Sequence, residues 1–166
     1  MLTREDKEKL MEELEEEFNR VKDELGFETS LDELDKSFFI RDMVLAYGFV
    51  PPSFISTISH RIKDRFYQHV SQIHRMLVPS PYSMMESAEH DMLSDDEKKE
   101  LDILMKRYLQ KTVECGLVLM KDDKDGQAKF IDGSFSLYKE TLPIMIRYQE
   151  KTNELWKDEA DKAKKS

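Results

Sequence analysis

Two residue pairs in this chain have the types and spacing to hold a divalent metal. His60 and Asp64 stand four apart, and so do Glu86 and His90. Residues four apart share a helix face, and two such pairs on facing helices of a bundle would supply four nitrogen and oxygen ligands. The chemistry would be hydrolysis dependent on a divalent metal. The spacing matches neither the E-x-x-H of di-iron bundles nor H-E-x-x-H. In so acidic a chain, a carboxylate four residues from a histidine also arises as a plain surface pair.

A second constellation is Arg41 with Asp42, set inside FFIRDMVLAYGFV at 38–50. This is the only stretch whose apolar residues nearly surround a helical turn, and such a helix is normally buried. Buried charges are costly unless paired. Neighbours on a helix point about 100° apart, so the two residues are expected to find partners on other helices as interhelix ion pairs. The third constellation is a basic line, Arg61, Arg65 and Arg75, with Gln68 and Gln72 in the same register. Residues 53–78 hold four bases and one acid, a net charge of +3. Such a face suits nucleic acid or an acidic partner, including the acidic first helix of the same chain or of a second copy.

Other signatures are weaker. Read as a calcium loop with Gly126 at its sixth position, KDDKDGQAKFID puts Lys121 at the first ligand position, which argues against calcium. No phosphate loop or dinucleotide fingerprint is present. The single Cys115 excludes an intramolecular disulfide and a cysteine zinc site, and its position near a helix end disfavours a thiolate. His90-Asp91 resembles the metal-binding dyad of the helical HD phosphohydrolases, but AEHDMLSDDE lacks the apolar helix that buries that dyad.

The elements that must carry these groups read as helices. Helix one runs from about Thr3 to Leu25, opened by Thr3 with Asp6 and closed by Gly26. Met11, Leu14, Phe18, Val21 and Leu25 make a narrow coiled-coil type of seam. Ten acids against five bases give residues 1–25 a net charge of −5. This segment, residues 1–26, is expected to be an acidic arm that pairs with a second copy or lies across the body. Helix two starts at Ser30, where S-L-D-E is a capping box, and continues through the buried stretch to Gly48 and Pro51-Pro52. Helix three spans about Ser53 to Leu77 with a stripe of Ile55, Ile58, Ile62, Phe66, Val70, Ile73 and Leu77. A short helix follows Ser83, and a long one runs from Asp95 to Cys115, closed by Gly116.

The pattern then changes. LVLM at 117–120 and AKFI at 128–131 flank Asp125-Gly126, a turn signal that predicts a β-hairpin packed on the helices. A last helix is expected from Ser134 or Ser136 to about Asp161, kinked or started near Pro143. The order helix, strand, acidic turn, strand, helix resembles the end of a winged-helix domain, which would imply nucleic-acid binding. The acidic turn would repel phosphates.

The expected fold is therefore mainly α, a single domain over residues 1–166. Five to six helices and one small hairpin near 117–131 form it, with a core at 27–162 and a frayed tail at 163–166. A net charge of −9 disfavours nucleic acid and anionic membrane. With no long apolar run and no signal-peptide apolar region, the expected setting is the cytoplasm. The leading expectation is a small interaction or regulatory protein without catalytic chemistry or cofactor, self-associating through its first helix. The alternatives are a divalent-metal helical hydrolase and a nucleic-acid-binding protein.

Overall fold

The structure, a computed structural model, describes residues 3–165. They form seven helices: α1 (Arg4–Leu25), α2 (Leu31–Phe38), α3 (Ile40–Tyr47), α4 (Phe54–Leu77), α5 (Met84–Asp91), α6 (Asp95–Met120) and α7 (Lys124–Lys165). Local caps set the starts of several. Thr3 with Asp6 and Ser30 with Glu33 make reciprocal capping boxes. Ser94 and Glu97 exchange the same two bonds at 2.7 and 3.3 Å. At α5, Ser83 accepts the Glu86 N–H, but the Glu86 carboxylate turns away to the Ser80 N–H at 2.7 Å. Gly26 and Gly48 end α1 and α3 in the left-handed conformation, at φ 74° and 77°, which glycine adopts without a side-chain clash.

The helix expected over 30–50 is broken in two. Phe39 takes φ 56° and ψ 51°, a left-handed conformation that is strained for a bulky residue. The break lets Phe38 and Ile40, both fully buried, point into the same core while Phe39 swings outward. The break frees polar groups that other residues take up. Asp35 Oδ1 accepts the Arg41 N–H at 2.7 Å, and Arg61 Nε donates to the Phe38 carbonyl at 2.9 Å. As a result α3 is not buried all round. Tyr47 and Phe49 stack on each other, more than half exposed.

The hairpin expected at 117–131 is likewise corrected, because no strand occurs among the described residues. Residues 117–120 finish α6, which runs straight through Gly116, and 128–131 belong to α7. The acidic turn is a helix–helix corner. Asp122 is left-handed at φ 48°, its N–H reaches the Leu119 carbonyl, and the Asp123 N–H reaches the Val118 carbonyl. This is the Schellman stop of a helix, with aspartate in the place glycine usually takes. Asp123 then starts α7 by accepting the Gly126 N–H at 2.8 Å. A Cβ on Gly126 would lie 2.4 Å from Asp123 Oδ2, so this glycine gives the cap room. The winged-helix resemblance ends with the missing wing. Helix α7 continues through Pro143, which lies on its exposed side.

The chain divides into two compact units, one of Met1–Phe66 with Gln110–Leu137 and one of Tyr67–Leu109 with Tyr138–Ser166. In the first, α1 and α2 each pack on α3. Leu14, Leu34, Phe38, Ile58, Ile62 and Phe66 are fully buried there, and Phe66 meets Phe38 edge-on at 6.2 Å. The α1 seam belongs to this core: Leu10, Leu14, Phe18 and Val21 are all buried by the chain itself. Helix α1 is therefore a wall of the unit rather than a detachable arm, and the face expected to pair with a second copy is occupied. The second unit is built on Ile73, Leu101, Leu104, Tyr108, Met145 and Tyr148. At its centre His69 lies against the rings of Tyr108 and Tyr138, and Tyr108 shares a 2.6 Å hydrogen bond with Thr141. No helix of the described residues is long and apolar enough to cross a membrane.

Candidate functional site

Three of the four residues expected to bind metal are engaged locally. His60 and Asp64 lie in the first unit, exposed on α4, with His60 Nδ1 2.8 Å from the Ser56 carbonyl. Glu86 and His90 lie in the second unit. Glu86 holds the Ser80 N–H, and His90 Nδ1 sits 2.8 Å from the Met76 carbonyl, with Nε2 3.0 Å from Lys98 Nζ. A carbonyl can only accept, so Nδ1 carries the ring proton and Nε2 accepts from the ammonium. Both ring nitrogens of His90 are then in use. Among the described residues, no group of three or more His, Cys, Asp and Glu side chains is placed to hold a metal ion.

Arg41 joins three helices. Its guanidinium lies 2.7 Å from Asp32, 3.2 Å from Asp35 and 3.7 Å from Glu15. Asp42, expected to be buried beside it, is exposed in the first turn of α3, where a carboxylate complements the helix dipole. The break at Phe39 explains the difference, because it turns position 42 toward solvent. The basic line is also partly used up. Arg61 caps the Phe38 carbonyl, the Arg65 guanidinium lies 5.4 Å from the centre of the Phe39 ring, and Arg75 is exposed.

Cys115 is fully buried inside α6, with Sγ 3.4 Å from the Ser59 carbonyl. Burial pushes its thiol up to about 11, so the unreactive thiol follows from desolvation rather than from the helix end.

In the second unit Glu97 is held by a close ion pair. Lys151 Nζ lies 2.7 Å from both of its oxygens, and that bond, with the Ser94 N–H, holds the carboxyl down to about 2. A depressed carboxylate stabilises the fold above its ordinary value of 4.5 and loses that effect as pH falls from there toward 2. The two side chains are 35% and 27% exposed, so solvent screens the pair and Lys151→Met should cost only roughly 0.5–1 kcal/mol at neutral pH. The difference between variant and wild type in urea denaturation should shrink steadily below pH 4.5. A difference unchanged down to pH 2.5 would contradict the assignment.

A polar hollow of about 380 Å³ lies in the first unit. One wall is the second half of α1, with Glu17, Arg20, Val21, Glu24 and Leu25. The start of α4, Pro52 to Ser56, makes the second, and Asp122, Lys124 and Gln127 of the α6–α7 corner make the third. Arg20 bridges Glu17 and Glu24 at 2.7 and 3.1 Å, and Lys124 meets Glu24 at 3.0 Å. Gln127 is only 2% exposed, and its side-chain oxygen has no hydrogen-bond partner. A larger neighbouring hollow of about 500 Å³, lined by Glu13, Glu16, Glu17, Arg20, Val50, Pro51 and Pro52, holds no such group.

Reading 128–131 as a strand hid two residues of α7. Gln127 is one. Asp132 is the other, and its carboxylate gathers the N–H groups of Glu28 and Thr29 and the Thr29 hydroxyl. The buried positions 127, 128, 131, 134 and 138 recur at helical spacing, the signal that would have placed both residues on a helix.

The class the geometry defines is an all-α chain whose singled-out ionisable groups mostly serve as caps and interhelix pins. Comparison with protein-family models, curated proteins and solved structures returned no match.

Proposed function

We propose that this chain is a helical interaction protein that associates with a second copy of itself through α6. The observation that carries this reading is an exposed uncharged row on that helix. Val113, Leu117 and Met120, at i, i+4 and i+7, are 63%, 50% and 84% exposed. Gly116 lies between them, and a Cβ there would meet nothing within 4 Å. A glycine inside a helix costs about 1 kcal/mol relative to alanine. Nothing within the chain requires one at 116, whereas close approach of another backbone would. An antiparallel crossing about a two-fold axis between residues 114 and 115 would set Val113 of each copy against Gly116 of the other. Such self-complementarity is what a two-fold interface needs.

The row is much smaller than the roughly 800 Å² per partner of a standard interface, so the association is weak, with a Kd of roughly 0.1–1 mM. Because each copy carries a net charge of −9, added salt should strengthen it by screening repulsion. A reducing, cytoplasmic setting accords with the one free, buried cysteine. Sedimentation velocity over a range reaching about 1 mM tests the reading. The wild type should sediment faster as concentration rises, and Leu117→Glu, a change at an exposed site, should remain monomeric with unchanged helicity. A monomer at every concentration, or a variant that associates like wild type, would overturn it.

A further inference from the structure

The corner that joins α3 to α4 carries an inference independent of self-association. We infer that it is a docking surface for a cationic segment of another protein, one in which arginine or lysine alternates with large apolar side chains.

The corner is apolar and rigid. Tyr47 and Phe49 stack with 6.0 Å between ring centres and are 55% and 54% exposed. The core takes Ile40, Met43 and Val44 from α3 instead. Val50, Pro51 and Pro52 follow directly and make one wall of the hollow of about 500 Å³. Left-handed Gly48 sets the bend between the two rings, and each proline has a fixed φ, so the surface is formed before anything binds. Apolar rings left in water favour being covered, and a preformed surface loses little freedom when that happens. Aromatic side chains are accordingly enriched at the centres of protein interfaces.

Charge selects what covers them. Across the hollow from the prolines, α1 presents Glu13, Glu16, Glu17 and Arg20. Arg20 is committed to Glu17 and Glu24, while Glu13 and Glu16 are exposed. A second copy would bring the same acidic wall, and nucleic acid or an anionic membrane would bring phosphates, so each would be repelled. A basic segment is attracted instead. Its cations face the glutamates and the open sides of the rings, and its apolar side chains cover Tyr47, Phe49 and the prolines.

Fluorescence polarisation of a rhodamine-labelled octapeptide alternating arginine and leucine, titrated with the whole chain at low salt, tests this. Binding should saturate below about 1 mM protein. An arginine–serine octapeptide of the same charge should bind roughly fivefold more weakly or less, and a glutamate–leucine octapeptide should not bind. Phe49→Ser, and separately the double change Glu13→Lys with Glu16→Lys, should each weaken binding by roughly fivefold or more with unchanged helicity, because all three positions are exposed. Glu154→Lys with Asp158→Lys makes the same charge change on exposed residues of α7 and should leave binding within about twofold. The inference fails if the arginine–leucine peptide does not bind. Equal binding of the arginine–serine peptide, or an equal loss in the α7 double variant, would mean attraction by net charge alone and overturn it. Binding unaltered by Phe49→Ser would place the contact elsewhere. Co-sedimentation with phosphatidylserine vesicles that Phe49→Ser abolishes would give the corner to a membrane, and loss of self-association in that variant would give it to a second copy; either result overturns the inference.

Discussion

Replacing Asp132 with alanine should lower the stability of the protein by about 3 kcal/mol. One carboxylate on α7 holds the α1–α2 connection. It accepts the Glu28 N–H with both oxygens, at 3.1 and 2.9 Å, the Thr29 N–H at 2.9 Å and the Thr29 hydroxyl at 2.6 Å. Thr29 is 5% exposed, so truncation takes the acceptor away from a buried N–H and a buried hydroxyl. Stranding a buried polar group costs about 1–3 kcal/mol each, and bonds to a charged acceptor lie at the upper end. Asp132→Asn keeps one acceptor and should lose less. Urea denaturation measures both as shifts in midpoint at constant slope. A loss below about 0.5 kcal/mol for the alanine variant, the range of an ordinary surface change, would show that the connection holds itself.

The second large effect is expected at Leu14, in the middle of α1. Its side chain is fully buried, and leucine-to-alanine changes at such sites cost about 2–5 kcal/mol through lost burial and a residual cavity. Against a total stability of about 5–15 kcal/mol for a domain, that is a large fraction. The result bears on the role of the helix. Were α1 a separate arm, its loosening would leave the main transition where it is. As a wall of the first unit it should shift the whole transition. Met11→Ala, one turn earlier and only half-buried, should cost clearly less. A Leu14→Ala protein whose transition coincides with wild type would return α1 to the status of an arm.

How far the sequence carries can be judged at particular residues. The boxes at Thr3 and Ser30 and the stops at Gly26 and Gly48 were legible because each depends on contacts within about four residues. The stripe Ile58, Ile62, Phe66 and Ile73 was legible for a related reason, since helical spacing marks the buried face without naming what covers it. The break at Phe39 was not. No breaker residue sits there, and a strained phenylalanine is held by the burial of its neighbours Phe38 and Ile40 and by Asp35, Arg41 and Arg61 around the opened turn. The corner at 121–123 misled in the opposite way. Asp125-Gly126 is a strong hairpin signal, yet Asp122 and Asp123 use the same residue types to stop one helix and start the next. Gln127 and Asp132 became visible only once that segment was known to be helical.

By itself, then, the sequence determined that the chain is mainly helical and where several of its helices begin and end. Caps and amphipathic spacing act over single turns and need no knowledge of the remaining chain. Tertiary structure decided the rest: that α1 spends its seam on its own core, that 117–131 is a helix–helix corner, that Asp42 faces solvent, and that Gln127 is buried beside a hollow. Each of those outcomes depends on which surfaces residues far apart in the chain cover. The strain at Phe39 and the helical form of 128–131 persist because burial across many residues outweighs a local preference worth about 1 kcal/mol or less.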